Sequence, residues 1–250
     1  YREFMRSDIS LWGKTHISRV KSILDQVPLT KGARETLEHL RKMGLKTAII
    51  SSGISLLAER IRGELEIDYS FANPLSTDER GFLVGEGEEI VALMSKGIVL
   101  EELCRGEGIR PEDCAIVGDS RFDVSLFEKA GLNIAFNAKD SLVRQAADVI
   151  VDSGDLREIL PWVVGDKAAR ADVSFHYEME KEAEVMVGAL SPDNQRTPRG
   201  LAVRSFRKGR EARTRVVCLK ELGTLLATLD DLFLDIQLAE KTIMAFEALS

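Results

Sequence analysis

Short apolar runs and amphipathic segments alternate along the first two thirds of the chain. Five runs of mostly apolar residues predict short buried strands: 45–50, 69–72, 115–117, 133–136 and 148–151. Segments with an apolar residue at every third or fourth position predict helices between them: 33–43, the segment from Ile54, the segment from Ser95, 141–146 and 156–164. Strands that alternate with helices predict an α/β fold with a doubly wound parallel sheet. A glycine-rich stretch, 81–87, predicts an inserted hairpin with Phe82 and Val84 on one side.

The pattern changes after Gly165. Alternating and helical spacings now predict a strand through Val173, Phe175 and Tyr177, a helix over 180–190 that stops at 191–194, a hairpin with strands 201–206 and 212–218, and a long final helix from Leu222. The order strand, helix, strand, strand, helix predicts a second, small α+β domain. We place the first domain at 1–165, a linker at 166–170 and the second domain at 171–250.

The final helix carries a wide apolar stripe that includes Leu225, Leu226, Leu229, Leu232 and Phe233. A domain of about 80 residues has too small a sheet to cover so much apolar surface. We therefore expect this helix to mediate self-association, as in a homodimer, or to bind a partner.

The first residues, 1–27, have apolar positions at roughly helical spacing, which suggests helices that cover another part of the first domain. The chain starts at Tyr1 without a methionine. We expect the beginning of the first domain to be missing and 1–27 to be the remnant of a cap over its site.

Composition excludes several classes of protein. No apolar run approaches the 18 residues of a membrane span, and no charged segment followed by an apolar one opens the chain as a signal peptide would. The net charge of −7 gives no general affinity for nucleic acid. The three cysteines show no C-x-x-C spacing and the three histidines are scattered, so we expect reduced structural thiols, no histidine metal site and a cytoplasmic protein.

Two carboxylates follow the apolar run 115–117. Gly118 allows the chain to turn, and Asp119 and Asp123 stand where the predicted strand opens into a helix. Ligands of open α/β sheets collect at the carboxyl ends of strands, and Mg²⁺ is often held there by one or two carboxylates and substrate phosphate. The alternative interpretation is a solvated turn in which an aspartate caps the helix.

Two further segments suit a phosphate. Ser51, Ser52 and Gly53 follow a predicted strand and precede a helix, so a hydroxyl and backbone N–H groups could bind phosphate oxygens there, or a serine could simply cap the helix. Lys96 lies near the start of another helix, where a cation is unfavourable for the helix dipole unless a phosphate is bound nearby. A solvated lysine is the alternative.

These segments appear in the order of three motifs of the haloacid dehalogenase superfamily: Ile50-Ser51-Ser52-Gly53, then Lys96, then Gly118-Asp119-x-x-x-Asp123. Neighbouring segments resemble phosphoserine phosphatases more narrowly: Asp68–Asn73, Ile134–Lys139 and Asp155–Leu160. The resemblance covers about 1–165 and implies a Mg²⁺-dependent hydrolase of small phosphomonoesters.

The resemblance also implies a role for each matching residue. Ser51 hydrogen-bonds the phosphate, with Ser52 and Gly53 beside it, and Lys96 neutralises the phosphate and orients the nucleophile. Asp119 is a ligand of Mg²⁺, and Asp123 supports the metal site. Arg19 falls where a cap arginine binds the substrate carboxylate in phosphoserine phosphatases.

One motif of the superfamily is absent. Its members attack phosphorus with an aspartate on the first strand, and a second aspartate two positions later acts as general acid and base. The 250 residues contain no D-x-D sequence. We therefore expect the chain as given to lack the nucleophile and its strand.

The second domain resembles the small dimerising Pcc-type subunit of the KEOPS complex. The segments that carry this likeness are 190–194, 197–201 and 222–232. KEOPS makes the threonylcarbamoyl modification of tRNA adenosine, and the resemblance implies a non-catalytic subunit that bridges two Kae-type catalytic subunits. A fusion of phosphatase and KEOPS subunit is one interpretation of the whole chain. The alternative is a KEOPS assembly protein whose phosphatase half is inactive.

The stretch 196–215 is basic: its cations include Arg204, Arg207, Lys208, Arg210 and Arg213, and Glu211 is its only acid. One hypothesis is that this surface contacts tRNA through the complex. A solvated hairpin is the alternative.

Overall fold

The computed structural model describes residues 11–12, 14–165, 169–194, 197–198, 200–220 and 222–247, with side chains for all of these except 192–194 and 244–247. The chain divides into two compact units, Tyr1–Leu160 and Pro161–Ser250. This division falls just before the predicted linker at 166–170, of which 166–168 lie outside the described residues.

The first unit consists of helices and short strands in alternation. Its helices, with the one that crosses the division, are α1 (Ile17–Leu24), α2 (Ala33–Lys42), α3 (Ser55–Leu65), α4 (Lys96–Glu107), α5 (Val124–Phe127), α6 (Ser141–Ala146) and α7 (Leu160–Val164). Its strands are β1 (Ala48–Ile54), β2 (Tyr69–Asn73), β3 (Leu75–Thr77), β4 (Leu83–Gly87), β5 (Ala115–Gly118), β6 (Leu132–Phe136) and β7 (Val149–Val151). Single 3-10 turns cover Pro111–Asp113, Arg121–Asp123 and Leu156–Ile159.

The parallel strands form two groups. β1 pairs with β2, and β6 pairs with β5 on one side and β7 on the other, all in parallel. Ile50 of β1 and Ile116 of β5 pack against one apolar cluster that includes Leu100 and Phe127. The α/β class is as predicted, but among the described residues β1 and β5 do not pair with each other. The predicted sheet is therefore present as two parallel sheets over a common core.

Strand β1 differs from the prediction at both ends. The predicted start at 45 belongs to the end of α2, because Gly44 adopts a positive φ and the N–H of Leu45 bonds the carbonyl of Leu40. At the other end the strand continues to Ile54, and its pairing with β2 contains two extra residues between Ile50 and Ile54. This bulge places Ser51–Gly53 inside the strand and not at the start of the helix.

The hairpin at 81–87 and the helix at 156–164 also differ from the prediction. The stretch 81–87 supplies only the second strand of a hairpin, since β4 pairs with β3 and Asp78 accepts N–H groups of the turn. The predicted helix 156–164 is split into a 3-10 turn and α7. Pro161 explains the split, because it has no N–H to continue the hydrogen-bond ladder.

The second unit follows the order strand, helix, strand, strand, helix. Its elements are β8 (Ala169–His176), α8 (Glu180–Asn194), β9 (Leu201–Lys208), β10 (Glu211–Cys218) and α9 (Leu222–Glu247). The strands form an antiparallel sheet in the order β8-β10-β9. Buried side chains of α8 and α9, among them Met186 and Ile236, cover one face of this sheet. Helix α8 runs through the predicted stop, 191–194, and ends at Asn194.

The apolar stripe of α9 is shared between the core of its own unit and the surface. Leu225 and Leu232 are 6% and 5% exposed and belong to the core, and Leu229 packs against it. Leu226 and Phe233 are 53% and 43% exposed. The predicted dimer contact therefore needs correction: Leu225 and Leu232 are used to cover the sheet, and only Leu226 and Phe233 lie at the surface.

None of the helices within the described part of the chain combines the length and apolar character that crossing a bilayer requires.

Candidate phosphate and metal site

Two glycines allow the candidate site to assemble. Lys96 begins α4, and a Cβ on the next residue, Gly97, would lie 2.3 Å from the backbone oxygen of Ser125 in α5. A Cβ on Gly118, at the end of β5, would lie 2.6 Å from the Cβ of Asp123. Only glycine allows these approaches, and they bring the start of α4 to the carboxyl end of β5.

Lys96 and Asp123 form a buried ion pair at this point. The Lys96 Nζ lies 2.7 Å from Asp123 Oδ1, and each side chain is 11% exposed. The interpretation of Lys96 as a solvated lysine is therefore wrong. Burial strengthens the attraction between the two charges and also makes it costly to remove either one.

The other carboxylate oxygen of Asp123 is held by the backbone. Asp123 Oδ2 accepts the N–H groups of Asp119 and Ser120 at 3.1 and 3.2 Å, and the Ser120 hydroxyl at 3.3 Å. Ser120 caps the turn Arg121–Asp123, and Asp123 completes a capping box. Ser120 is therefore the cap of this turn and Asp123 its buried capping-box partner, while Asp123 makes no side-chain cap bond to α5. The alternative of a solvated turn with an aspartate as helix cap is wrong.

Asp119 differs from Asp123, because its side chain is exposed. Mg²⁺ is commonly held by one or two carboxylates with water and substrate oxygens completing its shell. Among the described residues no group of three His, Cys, Asp or Glu side chains could hold a metal. The exposed carboxylate of Asp119 has the chemistry of a Mg²⁺ ligand. The assignment of Asp119 as ligand, with Asp123 in support, stays a prediction.

Asp140 is another carboxylate that follows β6, and the sequence did not single it out. Arg121 Nε donates to Asp140 Oδ2 at 2.7 Å. This bond and the N–H of Leu142 hold the pKa of Asp140 below its ordinary value. Because Asp140 is already paired and caps α6, we do not count it as a metal ligand.

The segment Ser51–Gly53 forms a turn within the bulge of β1. The Ser51 hydroxyl accepts the N–H of Gly53 at 3.1 Å, and Ser52 is buried. The residue that caps α3 is Ile54, without a side-chain hydrogen bond. The interpretation of Ser51 as a helix cap is therefore wrong, and its hydroxyl lies in an irregular segment of backbone that can turn N–H groups toward a ligand.

Arg19 lies on α1 with an exposed side chain. Backbone bonds from Ile17 to Gly81 and from Leu83 to Thr15 tie the start of α1 to the hairpin of β3 and β4. Among the described residues, no hydrogen bond or ion pair joins Arg19 to Lys96 or Asp123. The assignment of Arg19 to the substrate carboxylate stays a prediction.

Asn73 is a residue that the sequence analysis missed as part of the site. Its amide is 1% exposed and makes four hydrogen bonds to backbone groups of Ser52, Ile90 and Val91. An asparagine at a strand end before Pro74 is too common in turns to stand out in a sequence. Only the folded chain shows that it joins two of the candidate segments.

The cysteines are free thiols, as predicted. The Sγ atoms of Cys104 and Cys114 lie 3.5 Å apart. Burial, followed by the bond to Cys104, raises the pKa of Cys114 to about 12. The Cys114 thiol therefore stays protonated near neutral pH, in keeping with a structural role.

Comparison with known proteins bears on the first unit. The family of haloacid dehalogenase-like hydrolases matches residues 5–131. The phosphoserine phosphatase of Methanocaldococcus jannaschii is 37% identical over 164 residues, which are 65% of this chain and 77% of the relative. That of Archaeoglobus fulgidus is 35% identical over 157 residues, which are 62% of this chain and 45% of the relative.

Solved structures give the same result. A phosphoserine phosphatase with an analogue of its phospho-aspartyl intermediate is 35% identical, with a TM-score of 0.61 over 65% of this chain and 78% of the other. A substrate-bound phosphoserine phosphatase also has a TM-score of 0.61, with 35% identity over 65% of this chain and 77% of the other. The predicted resemblance of the first unit to phosphoserine phosphatases is confirmed.

Proposed function

This chain belongs to the haloacid dehalogenase-like hydrolases, and we propose that its first unit is the phosphate-binding part of a Mg²⁺-dependent phosphatase for small phosphomonoesters. The observation that carries the proposal is the buried pair of Lys96 and Asp123 at the carboxyl end of β5. The likeness to phosphoserine phosphatases makes phosphoserine the first substrate to test.

Lys96 is the cation of the proposed site. Among the described residues its only side-chain partner is Asp123, so two of its three N–H groups remain for phosphate oxygens. Asp123 holds the ammonium in place, and the backbone N–H groups of Asp119 and Ser120 hold Asp123. A phosphate would thus meet a charge that is already positioned, which is how a site avoids reorganisation during reaction.

The exposed carboxylate of Asp119 would hold Mg²⁺, with Asp123 beside it. When bound, Mg²⁺ would neutralise charge on the phosphate and polarise its oxygens. The Ser51 hydroxyl and the N–H groups of 51–53 would bind further phosphate oxygens, and Arg19 would bind the substrate carboxylate.

Hydrolysis also needs a nucleophile. In the mechanism that the resemblance implies, an aspartate oxygen attacks phosphorus, the substrate oxygen leaves with a proton, and water then releases phosphate from the aspartate. The 250 residues contain no D-x-D sequence, so this reaction requires a carboxylate from outside them. Without that carboxylate the unit would bind phosphate but would not hydrolyse a substrate. This is the alternative in which the phosphatase half is inactive.

Binding of inorganic phosphate in the presence of Mg²⁺ tests the site separately from turnover. We expect calorimetric titration of the 250-residue protein to show binding that Lys96→Met weakens by about tenfold or more. Lys46→Met is the matched control, because Lys46 is an exposed lysine paired with Asp68. Equal affinity in wild type and Lys96→Met, or no binding in wild type, would overturn the proposal.

Turnover is tested on the protein purified from its own cells. Its intact mass shows whether it carries residues beyond these 250. We expect a protein that includes a D-x-D strand to release phosphate from phosphoserine with Mg²⁺, and a protein of the 250-residue mass to release none. Release by the latter would show that the proposed mechanism is wrong.

For the second unit we propose the assembly role of a Pcc-type KEOPS subunit, which dimerises and bridges Kae-type catalytic subunits. The element order of the unit and the exposed apolar side chains of α9 support this proposal. Leu222, Leu226 and Phe233 are 64%, 53% and 43% exposed, and their spacing puts them on one side of the helix. An exposed apolar strip of this kind is typical of an interface.

Light scattering tests the dimer. We expect wild-type protein to be a dimer and the double variant Leu226→Ser/Phe233→Ser to be a monomer. Leu238→Ser is the matched control, because Leu238 is 67% exposed but lies on another side of α9. A monomeric wild type, or a double variant that stays dimeric, would contradict the proposal.

The tRNA contact belongs to the same proposal. The guanidinium groups of Arg204 and Arg215 lie 4.8 and 5.7 Å from the ring centre of Phe206, and a cation–aromatic group of this kind suits stacking with bases. Arg215 is also paired with Asp172, and Arg207 is paired with Glu180, each at 2.8 Å. We expect the triple variant Arg204→Ala/Arg207→Ala/Arg213→Ala to bind tRNA more weakly and with a smaller salt slope. Unchanged affinity and slope would favour the solvated hairpin.

A further inference from the structure

The amide of Asn73 is fully used. Its Nδ2 donates to the carbonyl oxygens of Ser52 and Val91, both at 3.0 Å, and its Oδ1 accepts the N–H groups of Ile90 and Val91, both at 2.8 Å. A side-chain amide has two N–H donors and an oxygen with two lone pairs, so no capacity remains. Asn73 is 1% exposed and Val91 is fully buried, so water does not replace any of these bonds.

The four bonds connect two segments that carry the proposed phosphate site. Ser52 lies in the bulge of β1, next to Ser51 and Gly53. Ile90 and Val91 belong to the irregular segment 88–95 that leads directly into Lys96. Asn73 itself ends β2, the strand that pairs with β1.

Neither segment is held by regular structure at these points. The bulge interrupts the pairing of β1 with β2 between Ile50 and Ile54. Backbone bonds of the segment 88–95 lie near its two ends: Glu88 N–H to the carbonyl of Pro74, Ser95 N–H to that of Ala92, and Ile98 N–H to that of Ser95. The buried side chain of Asn73 therefore holds the carbonyl of Ser52 in the bulge of β1. It also holds the N–H and the carbonyl of Val91 in the segment 88–95.

From this geometry we propose that Asn73 is the positioning residue of the phosphate site, fixing the Ser51–Gly53 turn relative to the start of α4. This inference rests on the proposed phosphate-binding function. Asn73 touches only backbone groups and acts on the ligand through Ser51–Gly53 and Lys96, as a buried partner that holds binding groups in place.

The test compares two fully buried asparagines. Asn133 is also buried, and its Nδ2 donates to the carbonyl of Phe127. Asn73→Ala and Asn133→Ala each delete a buried amide, so we expect both variants to lose stability. Binding of inorganic phosphate with Mg²⁺ is then measured at a temperature where near-ultraviolet circular dichroism shows each variant to be folded. We expect Asn73→Ala to weaken binding by about tenfold or more and Asn133→Ala to leave the affinity close to that of wild type.

Asn73→Asp is the second variant and serves if Asn73→Ala does not fold. A carboxylate at this position is nearly the same size and still accepts the N–H groups of Ile90 and Val91, but it cannot donate to the carbonyl of Ser52 or of Val91. We expect it to weaken phosphate binding as Asn73→Ala does, while the amide of Val91 stays protected from hydrogen exchange. Weaker phosphate binding together with a protected Val91 amide would show that the bond from residue 73 to Ser52 of β1 is lost while the segment 88–95 stays ordered.

The outcomes are distinct. Phosphate affinity that is unchanged in both Asn73 variants, or reduced equally by Asn133→Ala, would overturn the inference and leave the proposed function standing. Absence of phosphate binding in wild type would overturn the proposed function, and the inference with it.

Discussion

The two units place their charges in opposite ways. In the first unit Lys96 and Asp123 pair inside the protein, with 11% of each side chain exposed. In the second unit the ion pair of Arg215 and Asp172 lies on the sheet face that the helices leave uncovered, with 12% of the Arg215 side chain and 51% of the Asp172 side chain exposed. The two pairs have nearly equal distances, 2.7 and 2.8 Å.

Because the two distances are alike, we expect the difference in burial to decide how much each pair contributes to stability. A pair in water contributes little to stability and loses strength in salt, whereas a buried pair is expensive to break because the remaining charge has no solvent. In the first unit the compared pair is buried at the candidate site, and in the second unit it lies on one face of a sheet.

Breaking the buried pair should have the largest effect. Removing the ammonium in Lys96→Met leaves Asp123 buried without its partner, which we expect to cost about 3–5 kcal/mol of the free energy of unfolding of the first unit. Urea denaturation measures this loss. The double variant Lys96→Met/Asp123→Asn removes the unpaired charge as well and should recover part of it. A loss below about 1 kcal/mol in Lys96→Met would mean that the pair behaves like a surface pair.

The close approach that creates the buried site should matter next. Gly97→Ala places a methyl group 2.3 Å from the carbonyl oxygen of Ser125, and we expect a cost of about 1–3 kcal/mol as α4 moves away from α5. Gly106→Ala in the same helix is the control, because no atom lies within 4 Å of its added Cβ. That variant should be neutral or more stable by up to about 1 kcal/mol. If both variants have the same stability, the approach of α4 to α5 is not tight.

The pair of Arg215 and Asp172, in which only the carboxylate side chain is half-exposed, should have the smallest effect and a defined pH dependence. Burial alone would raise the pKa of Asp172, but the hydrogen bond and charge of Arg215, with Arg170, outweigh it and hold the pKa below its ordinary value. A lowered pKa in the folded state means that the ionised carboxylate stabilises the unit above the unfolded-state pKa of about 3.9. This contribution is lost as the pH falls through the folded-state value.

We therefore expect Asp172→Asn to cost less than about 1 kcal/mol at pH 7. The difference from wild type should shrink as the pH is lowered below about 4. Urea denaturation of the two proteins at a series of pH values measures it. A difference that stays constant down to pH 2 would show that the charge of Asp172 contributes nothing and that the variant acts through packing.

The sequence was sufficient for the regular parts of the fold. Alternation of apolar runs and amphipathic segments predicted the α/β class of the first unit, and strands such as Tyr69–Asn73 and Leu132–Phe136 lie close to their predicted positions. Errors fell where local chemistry competes with the pattern: Gly44 and Leu45 finish a helix, and Pro161 splits one. A pattern of hydropathy does not record such hydrogen bonds.

The candidate site was predicted as a set of residue types and not as a geometry. Spacing and resemblance selected Ser51, Lys96, Asp119 and Asp123, but only the structure separated the exposed Asp119 from Asp123, which both completes a capping box and pairs with Lys96. Asn73 carried no sign of its role, because its partners are backbone atoms that any residue would supply.

By itself the sequence determined which elements form and which side chains can do chemistry, since both follow from local spacing and side-chain type. Only the tertiary structure decided which side chains are buried and which residues contact each other. It took half of the α9 stripe into the core and left Leu226 and Phe233 outside, and it enclosed Lys96 with Asp123. These outcomes depend on contacts between residues far apart in the chain, because long-range packing sets the solvent exposure that gives each charge or apolar side chain its energetic weight.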